Sequence, residues 1–66
     1  MSPTSFTLRL VEHALAELAE RAEAMAYAEL IACLADIEAA GRSAAGDLVV
    51  AVLDREVQRR DSEARA

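Results

Sequence analysis

Apolar positions between Phe6 and Ala40 recur at helical spacing, but they form two stripes that do not line up. On a wheel of about 100° per residue with Leu18 at zero, Leu8, Val11, Leu15 and Met25 lie within roughly 80° of Leu18, around a mean near +30°. Tyr27, Leu30, Ile31, Leu34 and Ile37 cluster instead near about 160°. The stretch lacks Gly and Pro and is dominated by Ala, Leu and Glu, all strong helix formers, with Glu17 and Arg21 in the favourable i,i+4 order. It predicts helix over about 6–40. Two differently aimed stripes require either a break around 22–27 or two partners packed along one straight rod. Because "AEAMAY" at 22–27 carries no turn chemistry, the unbroken helix is the expectation and the break the alternative.

The flanks supply the punctuation. "MSPTS" at 1–5 reads as a flexible lead-in, with Thr4, Ser5 or Thr7 available to cap the first free N–H groups. Gly41-Arg42-Ser43 reads as a tight corner, where Gly41 takes the left-handed position after one helix and Ser43 caps the next; Asp47 is a second candidate cap. A second helix follows over about 44–62, with Leu48, Val49, Val52, Leu53 and Val57 on its apolar face. Glu56 to Arg60 and Asp61 to Arg65 form i,i+4 pairs assigned to the solvent side, and 61–66 is expected to fray. The β-branched run "LVVAVL" at 48–53 also suits a buried strand, but a lone strand has nothing to pair with except the N-terminal "FTLRL".

Length turns this pattern into a problem of burial. The chain has 66 residues, and of its apolar side chains sixteen are Ala, leaving twenty large ones and only two aromatics. A single domain of that size has little core with which to offset its own ordering, so a core shared with another chain is favoured. An unbroken helix over 6–40 would be about 50 Å long and the second helix only about 30 Å. The shorter helix would cover Tyr27 to Ile37 and leave Leu8 to Met25 free. The expectation is therefore an all-α antiparallel helical hairpin, one domain over 1–66, dimerising into a helical bundle. Leu8, Val11, Leu15, Leu18 and Met25 would form the subunit interface, with Leu30, Leu34, Ile37, Leu48, Val52 and Leu53 as the intrachain core.

Charge narrows the partners. The net charge is −5, with seven acids and two arginines in residues 1–40 against five of each in 41–66. An acidic front half disfavours nucleic acid as a partner, while the balanced tail leaves it open. No basic segment leads into an apolar one, and no apolar run approaches about 18 residues, so a membrane is not expected as a partner and a cytoplasmic location is. Cys33 is the only cysteine, which fits a reducing compartment and a small buried hydrophobe. Every basic residue is Arg, a usage associated with GC-rich bacterial genomes.

Candidate chemistry is sparse. His13, with Arg9 at i−4 and Glu17 at i+4, resembles in placement the phosphoacceptor histidine of sensor-kinase helical hairpins, but no acid follows it, and it reads as a solvated surface residue. Glu12, Glu17, Glu20, Glu23, Glu29, Asp36 and Glu38 contain no Glu-x-x-His element, and one His with one Cys cannot close a zinc site within one chain. Ser43 and Ser62 have no base within plausible reach, and no glycine-rich phosphate loop occurs. No catalytic residue, metal ligand or cofactor is expected, and no enzymatic activity.

Two segments resemble DNA-binding families. "FTLRL" at 6–10, with Phe6, Leu8 and Leu10 alternating against Thr7 and Arg9, and "AELIACL" at 28–34 resemble the strand and second helix of ribbon-helix-helix proteins. The resemblance implies a dimer whose paired strands enter the major groove, with Ser5, Thr7 and Arg9 reading bases. The chain departs from that family at Val11, where a helix cap is usual, and at Ala24 to Ala28, where a Gly- or Ser-containing turn is usual. "ADIEAAGRSAAGDLVVAVL" is similar to a helix-turn-helix in the separation of Gly41 and Ser43. Asp36, Arg42 and Asp47 nevertheless stand where that motif has apolar residues, and a plain corner accounts for the same glycine and serine. The leading expectation is a non-enzymatic oligomerisation or protein-interaction module, acting as a regulator or inhibitor of a partner protein. A ribbon-helix-helix-like DNA-binding regulator or antitoxin is the alternative.

Overall fold

In the computed structural model, residues 2–66 are described; Met1, the first residue of the expected lead-in, lies outside them. Three α-helices follow in order: α1 over Pro3–Ala24, α2 over Tyr27–Ala40 and α3 over Ala44–Arg65. No strand forms among the described residues. Helix α1 starts inside the segment read as a lead-in. Ser2 is its N-cap in place of Thr4, Ser5 or Thr7, its Oγ accepting from the Ser5 N–H at 3.1 Å, and Pro3 sits in the first turn, where its missing N–H costs nothing. The Thr7 hydroxyl donates back to the Pro3 carbonyl at 2.9 Å. "FTLRL" is therefore helical, and Ser5, Thr7 and Arg9 lie on α1, not on a strand.

The break is the main departure from the expected rod. Met25 and Ala26 are both extended, with φ/ψ of −78°/145° and −67°/151°, so the chain changes direction without Gly or Pro. Local bonds close both sides. The Met25 N–H turns back to the Ala22 carbonyl at 3.2 Å, and the Ala26 N–H donates to the Glu29 carboxylate at 3.2 Å. This is half of a capping box, because the Ala26 methyl can accept nothing in return. The two misaligned stripes explain the gain: Ala22 of α1 and Leu30 of α2, both fully buried, end up in one core against Leu53 and Val57 of α3.

Helix α3 thus does what the expected short helix could not. At 22 residues it runs through the predicted fraying tail to Arg65 and packs against both α1 and α2, which barely touch each other. The molecule is a slab of 44 × 30 × 16 Å. Met25, Cys33, Leu34, Ile37 and Val49 pack partly buried around the four central residues. Leu48, expected inside, is half-exposed, and Val52 is only partly covered; Ala22 and Val57 take the central places.

The 41–43 corner forms with its roles divided as the residue types suggest. Ser43 caps α3 by accepting from the Gly46 N–H at 3.0 Å, while Asp47 instead pairs with Arg42 at 3.2 Å. Gly41 adopts φ 91° and ψ 168°, a region essentially restricted to glycine, instead of the left-handed helical one. A Cβ on Gly41 would touch nothing within 4 Å. The cost of Gly41→Ala is therefore conformational alone, and urea unfolding of this variant is expected to show a loss of about 1–3 kcal/mol.

Candidate functional site

The most ordered polar cluster lies where α3 crosses the α1–α2 junction. Glu56 and Arg60 each lie three residues beyond a core residue of α3, Leu53 and Val57, and four from each other, so a carboxylate and a guanidinium stand on the same stripe as the core. Glu56 is only 6% exposed, and both of its oxygens are occupied. Arg59 donates as a fork, Nε to Oε1 at 3.0 Å and Nη2 to Oε2 at 2.6 Å, and Arg60 Nε donates to Oε2 at 2.7 Å. Arg59 Nη1 continues to Glu63 at 2.6 Å. A buried carboxylate without such partners would be strongly destabilising. With them its pKa falls from 4.5 to about 2, chiefly through the Arg59 hydrogen bond and then that of Arg60, against the opposing effect of burial.

Arg60 carries the cluster across to the other helices. Its Nη2 donates to the carbonyls of Ala22, Glu23 and Met25 at 3.0, 3.2 and 2.7 Å. The last carbonyls of any helix lack intrahelical donors and form its negative end, so a guanidinium there satisfies them and meets a favourable field. Helix α1 is capped by a side chain 38 residues away in sequence, which replaces the absent C-terminal glycine. This arrangement was missed in the sequence, where Glu56 and Arg60 read as a solvent-side pair. The available signal was their spacing from Leu53 and Val57.

No known protein family, curated protein or solved structure matches the chain. The expected interface residues divide by position along α1: Leu8 and Val11 are exposed, Leu15 and Leu18 are half-buried, and Met25 packs on the core. Phe6 and Leu10, outside the expected set, are exposed as well. Beside Leu15 a groove of about 460 Å³ runs between α1 and α3, with Leu48 and Val52 on its other wall and Glu56 and Arg59 at its charged end.

Elsewhere the polar residues are dispersed. His13 pairs with Glu17 at 3.2 Å on a solvent-facing surface, so Glu17 does not pair with Arg21. Cys33 is partly buried against the core. Among the described residues no three His, Cys, Asp or Glu side chains converge, and no helix is long and apolar enough to cross a membrane.

The cluster has a measurable signature. Because the Glu56 pKa is lower folded than unfolded, its contribution to stability is complete above about pH 4.5 and is lost as pH falls from there towards about 2. Glu56→Gln is expected to lower stability at neutral pH and to flatten the decline of the urea midpoint between pH 5 and pH 2; equal slopes for the two proteins would refute the buried pairing. Arg60→Met leaves Glu56 short of one donor and takes the side-chain donor from the carbonyls of Glu23 and Met25, while Ala22 keeps its bond from the Met25 N–H, and is expected to cost about 3 kcal/mol in the same measurement.

Proposed function

We propose that the protein is a non-enzymatic helical interaction module that works as a homo-oligomer, a dimer in the simplest case, and regulates or inhibits a partner protein. The observation that carries this reading is surface. The folded chain exposes 5155 Å², whereas a compact monomer of 7.1 kDa exposes about 4,100 Å². Its radius of gyration, 13.8 Å, likewise exceeds the roughly 11 Å of a compact chain this long. The excess, about 1,000 Å², is of the order that one partner contributes to a stable protein–protein interface, about 800 Å².

The location of the excess agrees. Leu8 and Val11 stand exposed on one face of the first turns of α1, at 57% and 42%, and Phe6 and Leu10, at 56% each, on the other. Exposed large apolar side chains concentrated at one end of a helix mark an association surface. Of the expected interface, Leu8 and Val11 are the residues most available to a second chain, with Leu15 and Leu18 at its edge. A cytoplasmic setting, where Cys33 stays reduced, belongs to the same reading. The DNA-binding alternative loses its support, because the ribbon that would present Ser5, Thr7 and Arg9 is replaced by α1.

Light scattering coupled to size exclusion decides the matter at concentrations of tens of micromolar and above. A mass of at least twice 7.1 kDa is expected. A monomer throughout would overturn the proposal.

A further inference from the structure

The groove and the exposed first turns of α1 lie on the same chain, and each has what the other lacks. The groove is lined by small residues, Ala16 and Ala19 of α1 and Ala51 of α3, and by the larger Leu15, Leu48 and Val52. Its buried polar groups are already spent, since Glu56 is held by Arg59 and Arg60 and no buried side-chain nitrogen or oxygen among the described residues lacks a partner. The charges left unpaired along it are Arg55 and Glu23, beside six apolar side chains. Such a lining suits the largely apolar face of a helix laid into a groove.

Charge selects the helix. Arg55 lines the groove from α3 and Glu23 from α1, and neither makes an ion pair among the described residues, so Arg55 is free to meet an acid from outside in a chain whose net charge is −5. The exposed apolar segment of α1 carries Glu12, also without an ion pair, four residues beyond Leu8 and hence on the same flank of the helix. A second copy therefore offers both the apolar face the groove lacks and an acid for its free arginine. Each chain carries both halves, and reciprocal exchange of the two between a pair of chains is the arrangement that closes as a two-fold dimer instead of growing head to tail.

We propose that the α1–α3 groove receives the first turns of α1 from a second copy, with Leu8 and Val11 over Leu15, Leu48 and Val52 and with Glu12 facing Arg55 of the partner subunit. This rests on the homo-oligomer reading above and specifies its surface. Each substitution enters a two-fold interface twice, which magnifies the effect of a rim charge.

Sedimentation equilibrium on Leu8→Glu, Glu12→Arg, Arg55→Glu and the double variant Glu12→Arg/Arg55→Glu tests it, with circular dichroism confirming that each folds; all three positions are exposed. Leu8→Glu is expected to be monomeric. Each single charge reversal is expected to weaken association about tenfold, and the double reversal to restore it. A wild-type monomer would sink this proposal together with the homo-oligomer reading. A wild-type oligomer that Leu8→Glu leaves intact, or reversals that weaken association without mutual rescue, would overturn the groove contact alone.

Discussion

One guanidinium ties α3 to the end of α1 at the point where the chain breaks. Arg60 is anchored at Nε by a buried carboxylate and spends its Nη2 on the open end of α1. Without such a donor, the carbonyls at 22–25 would be best satisfied by continuing the helix, which the Ala-rich sequence favours locally. With it, the chain can leave the helix at Met25 and restart at Tyr27, and the second apolar stripe swings onto the same face of α3 as the first. Glu56 is indispensable to this arrangement because it fixes the guanidinium, and Arg59 is what makes a buried carboxylate tolerable.

The bend gains a single shared core at the expense of compactness. Four residues are buried at its centre, all of them around the junction: Ala22, Leu30, Leu53 and Val57. Away from the junction the helices diverge, leaving the first turns of α1 uncovered and a groove open beside Leu15. Core and exposed surface are thus consequences of one geometry. A tighter monomer would need α1 to lie fully along α3, and Arg60 ties only its C-terminal end there. This is the physical reason to look for a second chain on the N-terminal half of α1.

The helical class, the corner at Gly41 and the cap at Ser43 were legible because each rests on local chemistry: Ala- and Leu-rich periodicity, a residue tolerating positive φ, and a hydroxyl one residue ahead of α3. The two stripes were legible too, and they stated the choice correctly as a break or two partners. The choice itself was not legible, because the break has no local signature. Met25 and Ala26 are ordinary helix formers, and the groups that stabilise the extended turn are Glu29 on one side and Arg60, 35 residues from Met25, on the other. The start of α1 was misplaced because Ser2 and Pro3 were read as loop formers, whereas an N-cap followed by Pro in the first turn is a start signal. The exposure of Leu8 and Val11 follows from the stripe they belong to, whereas Met25, on the same stripe, packs on the core because the chain bends at that residue.

A distance across the break at 25–26 reports both that the break exists and that Arg60 holds it. Spin labels at Thr4 and Glu38, both exposed, would stand about 50 Å apart on an unbroken helix, longer than the 44 Å long axis of the molecule. Measured by double electron–electron resonance in protein diluted with unlabelled chain, the wild type should give one narrow distribution well below 50 Å, and Arg60→Met should broaden it towards that value. A wild-type distance near 50 Å would mean an unbroken helix, and a distribution that Arg60→Met leaves unchanged would mean a break that does not depend on Arg60.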